Sequence, residues 1–483
     1  MWQLSIDIDP DLTTPLFAQI ANGIADAVRC GRLAPGARVP GSRALAHTLE
    51  VHRNTVLAAY DELCAQGWLH AQPGRGTFVA EQLPVQRAAS LGRRRRGVPA
   101  RPGFTLQTPS ATRGPRPVFR SRGLIPMGLG IPDVRLVPHE LLARAYRRNL
   151  RRSASALLSY GDPRGHRRLR ASLVDMLDRT RGLAAGPDDI LITRGSQMAL
   201  DLVARALVGP GDAVAVEAFG YRPAREAFAR AGAQLVAVPV DERGLCIDEL
   251  EAVLGRMPLR AIYVTPHHQY PTTAVLAPER RHRLLALARR HRFAIVEDDY
   301  DNEIHYQGRP VLPLASADEH GLVVYVGSLS KILAPGLRIG YLVAPRALID
   351  HLSEVRSTVD GGGDPALECA VAELLEDDEV QKHARRMRRI YRSRRDLMLE
   401  LLDGLLAGVI RPRVPSGGMA LWAQVTGVDP EAWAERAAAC GVMVSPGRWF
   451  AADDRPAPFL RLGFAACDEG ELRAGVGALV RAL

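Results

Sequence analysis

Lysine is nearly absent from this chain of 483 residues. Only Lys331 and Lys382 are lysines among its 63 basic residues, and all the others are arginines. Arginine stays protonated, whereas a lysine amine can lose its proton and act as a nucleophile. A position that keeps lysine in such a chain therefore indicates chemistry that arginine cannot perform.

Three other features are missing from the sequence. It has no apolar run of about 18 residues, the length that a membrane-spanning helix needs. Its start is acidic and lacks the basic and apolar stretches of a secretory signal. The 6 cysteines are scattered, without a close pair typical of metal or redox sites. We therefore expect a cytoplasmic protein with free thiols, no membrane segment and no metal.

The net charge of +10 lies mostly in one segment. Residues 81–120 contain nine arginines and a single acid, Glu81, whereas residues 1–80 contain six arginines and seven acids. An excess of positive charge is typical of proteins that bind nucleic acid. Because the N-terminal segment has no such excess, charge alone does not establish DNA binding.

Residues 1–80 have the pattern of three helices followed by a hairpin. Apolar spacing predicts a first helix over 14–29, Ser42 can cap a short second helix that ends near Leu49, and a third helix runs from about Arg53 to Ala65. Two short strands flank the Gly-rich turn 73–76. We predict a winged helix-turn-helix domain with this hairpin as its wing.

Two further segments complete the chain, which is too long for one hydrophobic core. Residues 81–120 are rich in Arg, Pro and Gly without periodicity, which predicts a linker. Its arginine run at 93–96 either contacts phosphates nonspecifically or is a solvated charge run. In residues 121–483, apolar strands alternate with helices, which predicts an α/β domain with a largely parallel sheet. A small α+β subdomain is expected from about residue 385.

The N-terminal module resembles a GntR-type winged helix over residues 15–80. The third helix begins with polar residues that could reach phosphates and base edges in a major groove: His52, Arg53, Asn54 and Thr55. The resemblance implies double-stranded DNA as the partner, with Arg43, Arg53 and Thr55 at phosphates or bases and Gly74 and Arg75 in the minor groove. Gly41 and His52 depart from the residues usual in the family. Taken singly, each arginine is more often a solvated charge.

The segment SLSKILAPGLRIGY resembles the cofactor-lysine segment of fold type I aminotransferases. It places Lys331 directly after an apolar strand, among small polar residues and shortly before an arginine. By this resemblance the cofactor is pyridoxal phosphate, Lys331 forms an imine with it, and Ser328, Ser330 and Arg338 belong to its site. A Ser-x-Ser-Lys match also occurs by chance, but the scarcity of lysine favours the cofactor interpretation.

Other segments offer the remaining groups that pyridoxal phosphate needs. A buried strand ends in Asp298 and Asp299; the resemblance assigns Asp298 to the pyridine nitrogen, with Asp299 as its rival, and Tyr300 to the ring oxygen. A turn before a helix can hold the phosphate, and a tyrosine can stack on the ring; these residues are Gly195, Ser196, Gln197 and Tyr221. A charged loop and a packed tyrosine are the plain alternatives.

The segment FLRLGF resembles the one that grips the substrate carboxylate in aminotransferases. Arg461 is therefore the candidate for bidentate recognition of an amino acid, and Arg222 and Arg225 could read a second acidic group. Three positions depart from the aminotransferase pattern: Phe219, where proline is common, Tyr270, where asparagine is usual, and Thr273, which replaces a glycine.

Head, linker and body in this order resemble the MocR-type branch of the GntR regulators. The resemblance implies a homodimeric transcription regulator that binds DNA and senses a small amino compound or pyridoxal phosphate through Lys331. An active aminotransferase with an appended DNA-binding head, in which Lys331 also moves a proton, is the alternative.

Overall fold

The protein is described here from a computed structural model, covering residues 6–84, 105, 123–308 and 311–483. The chain divides into two compact units, Met1–Thr108 and Pro109–Leu483. The expected domain limits at residues 80 and 120 stay predictions. Most of the expected linker, with its arginine run at 93–96, lies outside the described residues.

The first unit contains the predicted winged helix-turn-helix. Its elements are α1 (Leu16–Arg29), α2 (Ser42–Thr48), α3 (Arg53–Ala65), β1 (Leu69–Gln72) and β2 (Gly76–Val79). The two strands form an antiparallel hairpin, and Ile20, Ile24 and Leu63 are fully buried in the core of this unit. The expected cap was wrong: Gly41 precedes α2, and the Ser42 hydroxyl instead accepts a hydrogen bond from Arg53 Nε at 3.3 Å.

The second unit contains eleven α-helices and fifteen strands within its described residues. The helices are α4 (His139–Leu157), α5 (Arg167–Arg181), α6 (Ser196–Leu207), α7 (Arg222–Arg230), α8 (Ile247–Leu254), α9 (Pro278–His291), α10 (Arg346–Val359), α11 (Pro365–Glu376), α12 (Glu379–Leu406), α13 (Pro430–Ala439) and α14 (Glu469–Arg481). The strands are β3 (Ile125–Pro126), β4 (Ile190–Thr193), β5 (Ala213–Glu217), β6 (Gln234–Val238), β7 (Val240–Asp241), β8 (Gly244–Leu245), β9 (Ala261–Val264), β10 (Ala294–Asp299), β11 (Val323–Ser328), β12 (Gly340–Val343), β13 (Ile410–Arg413), β14 (Ala420–Val425), β15 (Val442–Met443), β16 (Ser445–Pro446) and β17 (Phe459–Gly463).

A seven-stranded sheet forms the centre of the large lobe, in the order β4-β12-β11-β10-β9-β5-β6. Neighbouring strands are parallel except for β12, which runs antiparallel to both β11 and β4. Strands β4, β5 and β9 are buried along their whole length, as expected of a sheet covered by helices on both faces. The carboxyl ends of β5, β9, β10 and β11 therefore meet at one edge, where ligands bind in such sheets.

The small lobe is built on a four-stranded sheet in the order β13-β14-β17-β16. Its core also takes residues from far upstream: β3 pairs with β15, and Met127 is fully buried among the side chains of the lobe. Residues 125–127 lie outside the subdomain expected from about residue 385, because a two-residue strand has no periodicity that reveals it in the sequence. Among the described helices, none combines the length and apolarity needed to cross a membrane.

Candidate cofactor site and DNA-binding surface

Lys331 follows the carboxyl end of β11. Its Nζ donates a hydrogen bond to the Gly130 carbonyl oxygen at 3.1 Å. Burial, reinforced by the positive charge of Arg461, lowers the pKa of the Lys331 amine to about 8, although Asp301 and Asp298 oppose the shift. At neutral pH this amine is therefore much closer to its nucleophilic, uncharged form than an ordinary lysine is.

Asp298 and Asp299 point to different surroundings, because successive side chains of a strand alternate. Asp298 Oδ2 accepts a hydrogen bond from the Tyr263 hydroxyl at 2.8 Å, while its Oδ1 is buried without a partner. Burial raises the pKa of Asp298 to about 7. Asp299 accepts a hydrogen bond from the Tyr325 hydroxyl at 2.6 Å and lies 3.5 Å from Arg181. Each of the two carboxylates keeps one buried oxygen, Oδ1, without a hydrogen-bond partner. They differ in their surroundings, because Asp299 belongs to a buried cluster with Arg181.

The start of α6 forms a concave group of donors. Gly195 has a φ of 75°. A Cβ added at Gly340 would lie 2.6 Å from the carbonyl carbon of Gly195, so the two backbone segments are in close contact. Arg338 lies against Gly195 and donates to the Arg194 carbonyl oxygen at 2.9 Å. The free amide hydrogens of a helix start and a guanidinium beside them are a typical phosphate cradle.

Ser328 and Ser330 stand just before Lys331 in the sequence. Ser328 Oγ accepts a hydrogen bond from the Ser330 amide at 3.1 Å, and Ser330 Oγ is buried without a partner. Gln197, in the first turn of α6, donates to the Pro223 carbonyl oxygen at 3.1 Å. Its side chain therefore ties α6 to the start of α7, whereas the phosphate contact predicted for Gln197 is that of its backbone amide.

An aromatic cluster surrounds Tyr270. Its ring makes edge contacts with Tyr221, Tyr300 and Phe450 at centroid distances of 5.4, 5.9 and 5.6 Å. The Tyr300 hydroxyl donates to the His268 carbonyl oxygen at 2.9 Å. The structure therefore brings together the two tyrosines expected around the cofactor ring and places between them the residue that departs from the aminotransferase pattern. The neighbouring departure, Thr273, has a φ of 62°, the conformation for which glycine is suited.

Arg461 on β17 is 4% exposed and reaches the same place from the small lobe. Its guanidinium carbon lies 4.5 Å from the centre of the Tyr270 ring, and its Nε is buried without a hydrogen-bond partner. A Cβ added at Gly130 would lie 2.5 Å from Arg461 Nη2. Gly130 thus contacts both Lys331 and Arg461, which places the amine and the guanidinium side by side.

The two arginines suggested for a second acidic group are already engaged. Arg222 pairs with Glu226 at 3.3 Å and with Asp454 at 3.6 Å. Arg225 is buried and donates to the Phe450 carbonyl oxygen at 3.0 Å. The positive charge of Arg222 is therefore compensated by two carboxylates, whereas Arg225 is held by a backbone carbonyl oxygen.

Sequence reasoning missed two residues of this site. Tyr263 was treated as part of an apolar strand, although a tyrosine inside a buried strand needs a hydrogen-bond partner and so indicates a polar neighbour. Gly130 gave no signal, because its importance comes from the contact of its carbonyl oxygen with Lys331 and of its Cα with Arg461.

The candidate DNA-contacting residues of the first unit lie on its surface. Arg43, Arg53 and Asn54 are exposed, and Thr55 is half-buried. His52 caps α3 by accepting a hydrogen bond from the Asn54 amide at 3.2 Å. Arg43 and Arg53 line one shallow depression between α2 and α3. Gly74, with a φ of 73°, and Arg75 form the exposed tip of the hairpin.

Comparison with known families divides the chain in the same order as its architecture. Residues 16–79 match the bacterial regulatory proteins of the gntR family, and residues 125–479 match the aminotransferase class I and II family. The chain is 33% identical over 478 residues to the probable rhizopine catabolism regulatory protein MocR of Rhizobium meliloti, covering 98% of this chain and 94% of that protein. The chain belongs to the MocR-type regulators.

Two further relatives agree with this membership. The regulator is 35% identical to the HTH-type transcriptional regulator TauR of Rhodobacter capsulatus, with 95% of each chain covered. Its body is similar to LysN, the alpha-aminoadipate aminotransferase of Thermus thermophilus, solved with N-(5'-phosphopyridoxyl)-L-leucine: the TM-score is 0.70 at 32% identity, covering 75% of this chain and 92% of that one. The regulator is thus a DNA-binding transcription regulator with a body for pyridoxal phosphate.

The residues present fit this cofactor. The unpartnered Asp298 Oδ1 is an acceptor for a protonated pyridine nitrogen, and the start of α6 with Arg338 is a cradle for a phosphate. Lys331 supplies an amine with a lowered pKa. A negatively charged phosphate and a positively charged pyridine nitrogen would each find the opposite charge.

Proposed function

We propose that the MocR-type regulator senses a small amino compound at Lys331 and changes its binding to DNA in response. The observation that carries the proposal is that Lys331 and Arg461 both lie against Gly130, which offers an amine-exchange position and a carboxylate position together. The bound cofactor supplies one aldehyde carbon, for which primary amines compete. Lys331 and an amino effector therefore cannot both be bonded to that carbon.

The residues of the chain have distinct tasks in this proposal. Asp298 keeps the pyridine nitrogen protonated, Arg338 and the start of α6 hold the phosphate, and Arg461 binds the effector carboxylate through two parallel hydrogen bonds. Tyr221 and Tyr300 enclose the ring. To move occupancy from mostly one state to mostly the other, the effector must favour one state by roughly 5 kcal/mol.

Visible absorption of the purified protein with pyridoxal phosphate tests this proposal. We expect a band in the wild type that borohydride bleaches, and its absence in Lys331→Ala. Lys382→Ala is the matched control, because Lys382 is exposed and paired with Glu379 on α12. Equal spectra for all three proteins would contradict a cofactor lysine at 331.

An active aminotransferase is the second candidate, because Lys331, Asp298 and the start of α6 with Arg338 could serve the same cofactor in catalysis. Tyr270 at the usual asparagine position speaks against efficient turnover. Assays with amino donors and keto acids separate the two functions: sustained turnover of about 1 s⁻¹ or more would establish an enzyme.

For the DNA-binding surface, we propose contacts from Arg43, Arg53, Asn54 and Thr55 to the major groove and from Gly74 and Arg75 to the minor groove. A duplex selected from a random-sequence pool is the probe. Arg53→Ala should weaken binding at least tenfold, whereas an Arg256→Ala control in the body should not; equal affinities would refute the assignment.

We propose further that the regulator is a cytoplasmic homodimer. Leu158 and Tyr160 are 74% and 99% exposed after α4, and exposed apolar groups of this size support coverage by a second copy. Sedimentation of a Leu158→Asp/Tyr160→Asp double variant should show a lighter species than the wild type; an unchanged dimer would place the interface elsewhere.

A further inference from the structure

The charges around the candidate site are unevenly balanced. Arg461 is buried, and within the described residues it forms no ion pair; an aromatic face is the partner of its guanidinium. Leaving a cation desolvated in this way is costly unless a ligand supplies the opposite charge. One carboxylate of a ligand, bound in a bidentate manner, completes this site.

Of the two nearby cations, Arg222 is already paired with carboxylates. Arg222 is neutralised by Glu226 and Asp454, and Arg225 donates to a backbone carbonyl oxygen. Burial, and after it the positive charge of Arg222, lowers the pKa of Arg225, while Asp454 and Glu226 oppose the shift. A second acid could pair with Arg222 only by displacing Glu226 and Asp454.

The wall beside Arg461 is aromatic instead. Tyr270 contacts Phe450 at 5.6 Å, Phe450 contacts Trp422 at 5.7 Å, and Trp422 stacks on Phe459 at 4.9 Å. These ring contacts form an unbroken series from the Arg461 guanidinium through Tyr270 to Phe459. Aromatic rings of this kind favour the burial of apolar groups and offer few hydrogen-bond partners to a charged group.

We infer that the effector is an amino acid with a single carboxylate and an uncharged, apolar side chain, bound between Arg461 and the aromatic wall beside Tyr270. This inference rests on the proposed function, because it takes the site around Lys331 to be the effector site. Tyr270 has two tasks in it: its face holds the guanidinium of Arg461, and its edge belongs to the wall that meets the effector side chain. In this view Tyr270 determines specificity, and it stands where aminotransferases usually have asparagine.

The inference predicts an order of affinities among simple probes. L-phenylalanine and L-leucine have one carboxylate and an apolar side chain, L-glutamate and L-aspartate have a second acid, and phenethylamine has no carboxylate. We expect the cofactor-loaded wild type to bind L-phenylalanine or L-leucine at least tenfold more tightly than the other three probes.

Two readouts on the full chain measure these affinities: titration of the visible absorption spectrum and the shift of the thermal unfolding midpoint. A preference for L-glutamate or L-aspartate, or equal affinities, would overturn the inference while leaving Lys331 as the sensor. No response to any probe, in protein whose visible band shows that the cofactor is attached, would overturn the proposed function and the inference with it.

Variants at two positions separate specificity from stability. Tyr270→Phe retains the aromatic face and should bind L-phenylalanine like the wild type, whereas Tyr270→Asn should lose at least tenfold. Arg222→Gln should leave the affinity for L-glutamate unchanged, because Arg222 is already paired with Glu226 and Asp454. A loss of L-glutamate binding in Arg222→Gln, or equal L-phenylalanine binding in both Tyr270 variants, would contradict the inference.

Discussion

At the scale of single residues, the site works by placing unlike side chains around one small residue. Gly130 allows Lys331 and Arg461 to approach from the two lobes, and the positive charge of Arg461 adds to the effect of burial in lowering the pKa of Lys331. The scarcity of lysine made Lys331 identifiable from the sequence. The pKa of its amine could not be predicted from the sequence, because it depends on burial and on an arginine 130 positions further along the chain.

The pH dependence of cofactor attachment reports this pKa. Only the uncharged amine of Lys331 can attack an aldehyde, so the attachment rate should rise with pH through about 8. Arg461→Gln removes the neighbouring positive charge, which should raise the pKa and shift the midpoint to higher pH. Stopped-flow absorption measures both curves over roughly pH 6 to 10, a range that runs from below the lowered pKa towards the ordinary pKa of lysine. Coincident midpoints would show that Arg461 does not act on Lys331.

Gly130→Ala tests the close approach to Arg461. The added methyl group would lie 2.5 Å from Nη2, at the end of a flexible side chain that can move aside. We expect the unfolding midpoint to change little and the affinity for L-phenylalanine to fall about tenfold, or about 1.4 kcal/mol. Thermal unfolding and spectral titration measure the two effects. Unchanged affinity would mean that the guanidinium position is not critical.

At the scale of elements, the site is assembled from the ends of strands. Glu217 ends β5, Glu297 and Asp298 lie in the last part of β10, and Lys331 follows β11. Hydrophobic alternation predicted these strands and the helix starts, because periodicity is local. Whether Asp298 or Asp299 serves the site was open in the sequence, and only the packing of Asp299 against Arg181 and Tyr325 distinguishes their surroundings.

The buried carboxylates at these strand ends should make the cofactor-free protein less stable as pH rises. Burial raises the pKa values of Glu217, Glu297 and Asp298 to about 7, above the ordinary values of 4.5 and 3.8. Between those values and about 7 the folded chain keeps protons that the unfolded chain loses, so stability falls across this window. Glu217→Gln should flatten the fall by about 2 kcal/mol. Denaturant unfolding from pH 5 to 8 measures it, with the exposed Glu249→Gln as control; an unchanged slope would be inconsistent with a buried proton at Glu217.

At the scale of the whole molecule, a DNA-reading head and a cofactor-binding body share one chain. The order of the two folds and the strand-helix alternation of the body were predictable from sequence patterns. The contribution of residues 125–127 to the small lobe was not, because it depends on pairing between β3 and β15, which are over 300 residues apart. The central claim is that occupancy at Lys331 in the body controls the affinity of the head for DNA.

The most direct test is the fluorescence anisotropy of a selected DNA duplex, titrated with cofactor-loaded protein in the presence and absence of L-phenylalanine. We predict that L-phenylalanine changes the affinity of the wild type at least tenfold and leaves Lys331→Ala at a single affinity. Lys382→Ala should respond like the wild type. Two results would contradict control of DNA binding through Lys331. One is a change of DNA affinity in Lys331→Ala equal to that of the wild type. The other is an unchanged DNA affinity of the wild type when L-phenylalanine does change its absorption spectrum.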